Sequence, residues 1–131
     1  MEDAARKNGH VRVGGKMELT SWDKIPAEQL SDKITRRVLH GEHASVARFF
    51  LAKGAVVPRH EHPSEQYTSV LSGALKLVFD SHEVVLRAGD VLFIPSHEPH
   101  AAEALEDTSV QDIFAPRRED WIKQDDAYLR K

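Results

Sequence analysis

Apolar and polar residues alternate with a period of two along most of the chain, as in strands that bury one face. Glycine or proline interrupts the alternation about every 8–12 residues, a spacing typical of an all-β barrel or sandwich. Eight or nine short strands are predicted, over residues 35–39, 45–51, 55–62, 66–71, 74–79, 84–87, 91–94, 100–103 and 108–114. The pattern therefore predicts one all-β domain, followed by a helical turn at 118–123 and a frayed end over the last eight residues.

The start of the chain carries a weaker pattern. Residues 1–15 are polar and contain glycine, so we expect a flexible arm ahead of a barrel domain over residues 16–131. Met17 to Trp22 alternates and is predicted to be an edge strand that pairs with a second subunit, which makes a homodimer the expected assembly.

Composition and charge narrow the function classes. The 131 residues include 18 Lys and Arg against 21 Asp and Glu. This near balance excludes the excess of basic residues that nucleic-acid-binding and membrane-surface proteins carry. No apolar run reaches the roughly 18 residues of a membrane span, and none resembles a signal peptide, so we expect a cytoplasmic location. Cysteine is absent, which excludes disulfides and thiol chemistry. Arg36, Arg37 and Arg117 are expected on the solvated surface, and His40 in a solvated hairpin.

The eight histidines are an unusual number, and histidine is the commonest side-chain metal ligand. His60 and His62 lie two residues apart on a predicted strand, so both imidazoles face the same side and can share one ion. Pro63 bends the chain directly afterwards, which allows Gln66 to return and offer an oxygen. Glu65 is a rival ligand, although strand alternation turns it away, and His97 in the following loop is another.

These histidines belong to two segments, 54–73 and 89–104, that resemble the two signature motifs of the cupin superfamily. In this chain the motif positions are Gly54, His60, His62, Gln66, Gly73, Gly89, Pro95 and His100. The resemblance implies a single-domain cupin jelly-roll β-barrel. It also implies one divalent transition metal (Mn, Fe, Ni, Co or Zn), with His60, His62, Gln66 and His100 as its ligands.

The sequence departs from the family pattern at three positions. Gln66, His97 and Ala104 stand where the family usually has Glu, Gly and Asn. A glutamine ligand leaves the ion with its full double positive charge, which makes it a stronger Lewis acid and a better host for an anionic substrate.

A second cluster lies downstream, where Asp112 and Phe114 share one face of the last predicted strand and Arg118 follows. This ending is similar to that of the small cupins of pectin and alginate degradation that linearise unsaturated monouronates. The resemblance implies that Asp112 transfers a proton, that Phe114 contacts the sugar ring and that Arg118 clamps the carboxylate of a small anionic substrate. Three alternatives stay open: a structural role for Asp112, an Fe-dependent cupin dioxygenase, and a non-catalytic cupin that binds a sugar or another small molecule.

Overall fold

The computed structural model describes residues 6–7, 10–12 and 15–130. In these residues the strands are β1 (Arg6–Lys7), β2 (His10–Arg12), β3 (Glu28–Gln29), β4 (Ile34–His40), β5 (Ser45–Leu51), β6 (Val56–His60), β7 (Glu65–Ser72), β8 (Ala74–Phe79), β9 (Glu83–Arg87), β10 (Val91–Ile94), β11 (His100–Ala104) and β12 (Thr108–Ala115). One α-helical turn, α1 (Glu119–Ile122), and two 3-10 turns, Trp22–Lys24 and Ala127–Leu129, complete the elements of this part of the chain. No helix within these ranges is both long and apolar enough to cross a bilayer.

The strands form two sheets that face each other. The larger sheet has the order β1-β2-β4-β5-β12-β7-β10, with β3 also paired to β4, and the smaller sheet has the order β6-β11-β8-β9. β2 and β4 run parallel, whereas the other pairs of the described strands are antiparallel. The predicted all-β jelly-roll barrel is therefore confirmed.

The inner face of the larger sheet changes from apolar to polar along single strands. On β12 the alternate residues Thr108, Val110, Asp112 and Phe114 are buried. The apolar members pack with residues of both sheets into one core. Asp112 continues this inward row next to Thr68 of β7, so period-two alternation carries a carboxylate into the barrel.

Gly73 makes the tight connection between β7 and β8 possible. Its φ of 92° lies in the left-handed region that side chains disfavour. A Cβ atom at this position would also collide with the carbonyl of Asp107 and with the backbone of Thr108. The glycine that closes the first motif is therefore required by the backbone rather than by chemistry at the site.

The predicted edge strand at Met17–Trp22 is wrong. Residues 17–21 form no strand, and the 3-10 turn Trp22–Lys24 follows them. Met17 and Leu19 are almost fully exposed, so the apolar residues of this alternating segment do not pack against a core. The homodimer stays a prediction without this support. Most of the predicted arm over 1–15 lies outside the described residues, apart from β1, β2 and Gly15, and its flexibility stays a prediction.

The predicted frayed end is also wrong. Asp126 and Leu129 are buried, and Asp126 accepts a 2.8 Å hydrogen bond from Nη2 of Arg36. Arg36 is not on the solvated surface but is fully buried in β4. His40 is likewise buried, 2.6 Å from the hydroxyl of Ser45. These polar residues are buried because each has a partner in another part of the fold, which satisfies its hydrogen bonds.

Candidate metal centre

Three histidines converge at one end of the barrel. His60 ends β6 and is the direct cross-strand neighbour of His100, which begins β11. His62 follows β6 by two residues. One ligand atom from each of these imidazoles lies within 4.8 Å of the other two, a spacing at which a single ion can bind all three.

Backbone carbonyls orient all three imidazole rings. Nδ1 of His60 lies 2.8 Å from the carbonyl oxygen of Pro58, Nδ1 of His62 lies 2.9 Å from that of Ser64, and Nδ1 of His100 lies 2.7 Å from that of Glu98. A carbonyl oxygen can only accept, so each Nδ1 carries the proton and donates it. The lone pair of each ring then resides on Nε2, as in histidines that bind metals through Nε2.

Gln66 of β7 brings an oxygen to the same place from the larger sheet. Its Oε1 lies 3.0 Å from Nε2 of His62, and its amide nitrogen donates to Oγ1 of Thr68 at 2.8 Å. Because the proton of His62 is on Nδ1, two lone pairs face each other across this 3.0 Å gap. A cation bound to both atoms satisfies this arrangement, so the residues fit a divalent metal.

Burial keeps the histidines neutral, which is the form that binds a metal. Loss of solvent on burial lowers the pKa of His60 to about 4 and that of His62 to about 3, with a smaller contribution from the positive charge of Arg118. Burial also lowers the pKa of His100. At neutral pH an ion therefore does not have to displace protons from these rings.

Asp112 lies behind Gln66 and is also buried. Its Oδ1 accepts a 2.6 Å hydrogen bond from the hydroxyl of Thr68 and a 3.4 Å contact from the amide nitrogen of Gln66. Burial raises the pKa of Asp112 to about 6, although both of these hydrogen bonds oppose the shift by stabilising the carboxylate. A carboxyl group with this pKa exchanges protons readily near neutral pH.

Arg118 is buried beside this group, but its position differs from that of a free carboxylate clamp. Its Nε and Nη2 bind the two carboxylate oxygens of Asp120 at 3.0 and 2.8 Å. The guanidinium lies over the rings of Phe114 and Trp121, at 4.7 and 4.2 Å from their centroids. Asp120 thus occupies one edge of the guanidinium, and Nη1 makes no hydrogen bond with the described residues.

A model of the cupin domain matches residues 47–114, which include the three histidines, Gln66 and Asp112. The chain belongs to the cupin family. Among solved structures, KdgF from Halomonas sp. is 30% identical with a TM-score of 0.70, over 76% of this chain and 94% of that one. An RmlC-like cupin from Shewanella frigidimarina is 26% identical with a TM-score of 0.75, over 81% and 96%.

Oxalate decarboxylase from Bacillus subtilis, whose structure is described with Mn(II) centres, shares the fold of this cupin. It is 19% identical with a TM-score of 0.68, over 79% of this chain and 31% of that one. Among curated protein sequences, none matches the chain.

The two rival ligands lie outside the histidine cluster of this cupin. Glu65 accepts a 3.1 Å hydrogen bond from the hydroxyl of the exposed Tyr67 on the outer side of β7. His97 is 63% exposed and lies 3.5 Å from a carboxylate oxygen of Glu61. Its φ of 62° places it in a left-handed turn, which accounts for the glycine that other cupins have here.

Sequence reasoning missed three residues around the site of this cupin. The sequence carries a signal for Thr68 at the site, because this residue lies two positions after Gln66 on a strand and therefore faces the same way. The signal for Asp120 is weaker and consists only of its place two residues after Arg118. Tyr128 had none: its ring lies 4.7 Å from that of His60, although 68 positions separate them in the chain.

Proposed function

We propose that this cupin is a metal-dependent isomerase that opens the ring of a 4,5-unsaturated monouronate. The observation that carries the proposal is the buried carboxyl of Asp112, with a pKa of about 6, separated from the histidine cluster only by the amide of Gln66. Two further observations support it. The residues Asp112, Phe114 and Arg118 resemble the ending of small cupins that linearise such sugars, and KdgF is 30% identical over most of the chain.

His60, His62, His100 and Gln66 would hold the divalent metal. When bound there, the ion supplies Lewis-acid polarisation of a substrate oxygen. The three imidazoles and the amide are neutral ligands, so they leave the charge of the ion uncompensated. An anionic sugar acid is the kind of substrate that such a site attracts.

The reaction is an isomerisation that needs one proton added and one removed. The C4=C5 double bond of the sugar takes up a proton at C4, while the C1 hydroxyl loses its proton and the bond between C1 and the ring oxygen breaks. The products are an aldehyde at C1 and a ketone at C5, so no oxidant and no water are consumed. Asp112 is suited to give the proton to C4 and to be reprotonated by the end of the cycle, because its pKa lies close to neutral pH.

Arg118 and Phe114 position the sugar in this proposal. Nη1 of Arg118 offers donors to the substrate carboxylate, while Asp120 holds the opposite edge of the guanidinium in place. Phe114 is buried against His62, with ring centroids 5.7 Å apart, and lines a cavity that His60, Asp112 and Arg118 also line. Its ring supplies an apolar face for the sugar between the histidines and Arg118.

The test is to incubate metal-loaded protein with unsaturated galacturonate and to follow the loss of double-bond absorbance. We expect turnover that persists without dioxygen, and a fall of about 10²–10⁴-fold in Asp112→Asn with the bound metal retained. The matched control is Asp23→Asn, which makes the same change at an exposed residue of the first 3-10 turn and should leave turnover unchanged.

Each competing function gives a different result in this experiment. Turnover that stops without dioxygen would show the dioxygenase. Binding of the sugar with no turnover by the metal-loaded protein would show a binding protein. Full activity in Asp112→Asn would assign that residue a structural role.

A further inference from the structure

The C-terminal turn (Ala127–Leu129) lies across the seam between the two sheets. Just before it, Asp126 binds Arg36 of β4, in the larger sheet, at 2.8 Å. Within the turn, the ring of Tyr128 lies 4.7 Å from that of His60, which ends β6 at the edge of the smaller sheet. The turn therefore closes the barrel directly over one of the metal-binding histidines.

The hydroxyl of Tyr128 is held from inside the barrel. It accepts a 2.9 Å hydrogen bond from Nη2 of Arg118 and a 3.3 Å hydrogen bond from the indole nitrogen of Trp121. Arg118 is the residue assigned above to the substrate carboxylate. Tyr128 thus contacts both ends of the proposed site, His60 with its ring and Arg118 with its hydroxyl.

The cavity beside the candidate ligands is too small for a sugar acid. The space has a volume of about 60 Å³ and is lined by His60, His100, Gln66, Asp112 and Arg118 among others. That is room for a few water molecules and well below the roughly 300–1,000 Å³ of small-molecule pockets. A second space of about 320 Å³ lies outside, between the start of β4 and the start of β6, and Tyr128 and Leu129 line both spaces.

The C-terminal turn is suited to opening on its own. Leu129 and the hydroxyl contacts of Tyr128 hold its inner side. Its backbone hydrogen bonds run within the turn, from Leu129 to Asp126 and from Arg130 to Ala127, so side chains hold it to the barrel. A single turn held by side chains opens locally at less cost than strands whose backbones are bonded to their neighbours. Asp126 stays anchored to β4 by Arg36 at 2.8 Å, so it marks the point about which the turn can swing.

We propose that Tyr128 determines which molecules reach the metal centre, by closing the cavity against anything larger than a small anion. A sugar acid binds when the C-terminal turn swings away and joins the two spaces. The inference rests on the proposed function for the class of ligand, but it concerns access to the site and does not require turnover.

The experiment titrates protein loaded with Zn²⁺ with two carboxylates of different size, acetate and glucuronate. Glucuronate has no C4=C5 double bond, so its binding is separate from the ring-opening reaction. A site that is open only part of the time binds with an affinity reduced by that fraction. We expect Tyr128→Ala to bind glucuronate at least about tenfold more tightly and acetate within about twofold of wild type, as measured by calorimetry.

Two variants accompany Tyr128→Ala. Tyr128→Phe keeps the ring over His60 but removes the acceptor for Arg118 and Trp121, so a smaller gain for glucuronate is expected. Tyr67→Ala is the matched control, because Tyr67 is the other tyrosine of the chain and lies on the outer face of the larger sheet. Equal changes for acetate and glucuronate, or an equal gain in Tyr67→Ala, would overturn the proposal, as would glucuronate that binds to none of the variants.

Hydrogen exchange on the wild-type protein gives a test that needs no variant. The amides of Leu129 and Arg130 donate to the carbonyls of Asp126 and Ala127 within the C-terminal turn. If the turn opens locally, these amides exchange much faster than those of β12. Exchange of both sets at one rate, that of global unfolding, would contradict a separate opening. A protein that passes both access tests but never converts unsaturated galacturonate would refute the proposed reaction and leave the role of Tyr128 standing.

Discussion

The two sides of the metal centre are held in place by different means. On the histidine side, His60, His62 and His100 each donate to a backbone carbonyl no more than two residues away. On the acid side, Asp112 and Arg118 are held by other side chains. Because these backbone contacts are local, we expect the orientation of the three imidazoles to be the less sensitive to distant substitutions. The acid side depends on every member of its network, so it should be the easier side to disturb separately.

The largest expected effect comes from removing a ligand on the histidine side. His62→Ala removes one imidazole and with it the Nε2 atom that lies opposite Oε1 of Gln66. Loss of a residue that only hydrogen-bonds to a metal ligand costs about 10–100-fold in metal affinity, so we expect the loss of a ligand itself to cost more than about 100-fold. Elemental analysis after dialysis measures the bound ion. His43→Ala is the control, because it removes an exposed histidine of the β4–β5 hairpin. Stoichiometric metal in His62→Ala would place the ion elsewhere.

The pH dependence of folding compares the two sides in the metal-free protein. Burial lowers the pKa of His60 to about 4 and that of His62 to about 3, from 6.5 in the unfolded chain. Between these folded values and pH 6.5, the unfolded chain therefore binds more protons than the folded chain. Their contribution to the free energy of unfolding is complete above about 6.5 and is lost as the pH falls. Asp112 has the opposite effect on the free energy of unfolding. Burial raises its pKa from 3.8 to about 6, so between these pH values the folded chain keeps a proton that the unfolded chain loses.

Between pH 7 and pH 5 the two histidines change the free energy of unfolding by more than the one aspartate does. The urea midpoint of protein freed of metal by a chelator should therefore be lower at pH 5 than at pH 7. Asp112→Asn removes the opposing contribution and should make this dependence steeper, whereas His62→Gln should make it shallower. A midpoint that rises as the pH falls from 7 to 5 would contradict the burial of neutral histidines.

The acid side can be loosened without touching the histidines. Asp120→Asn removes the negative partner of the buried Arg118, so we expect a loss of about 1–3 kcal/mol in the free energy of unfolding. Metal affinity should stay close to the wild-type value, because Asp120 binds none of the ligands and acts on His60 only through its charge. Urea unfolding and a metal titration give the two numbers.

Glu119→Gln is the matched control for Asp120→Asn. Glu119 neighbours Asp120 and pairs with Arg117, but its side chain is 53% exposed, so the expected loss is below about 1 kcal/mol. A joint loss of metal affinity and stability in Asp120→Asn would show that the two sides are not independent.

The same contrast explains what the sequence could predict. Strand alternation placed β5, β8 and β10 at their observed bounds, and motif spacing brought His60, His62, Gln66 and His100 together, because both are local or family patterns. The fold of the C-terminal end was not predictable in this way. Asp126 and Leu129 are buried by contacts with distant residues such as Arg36, 90 positions away, and a polar segment gives no sign of such partners. For the same reason Arg36 was expected in solvent.

Gln66 is the residue that connects the two sides, and Gln66→Glu has the smallest expected effect, about tenfold in metal affinity. A carboxylate restores the residue that cupins usually have here, and its charge strengthens binding of a cation. It also loses the amide donor to Asp112 and adds a negative charge beside it, which raises the pKa of Asp112 further. The pH profile of turnover should therefore shift to higher pH while metal binding tightens. Gln111→Glu on the same sheet is the control, since it adds the same charge at a residue that faces Arg48 instead. Tighter metal binding with an unchanged pH profile would show that the amide of Gln66 does not act on Asp112.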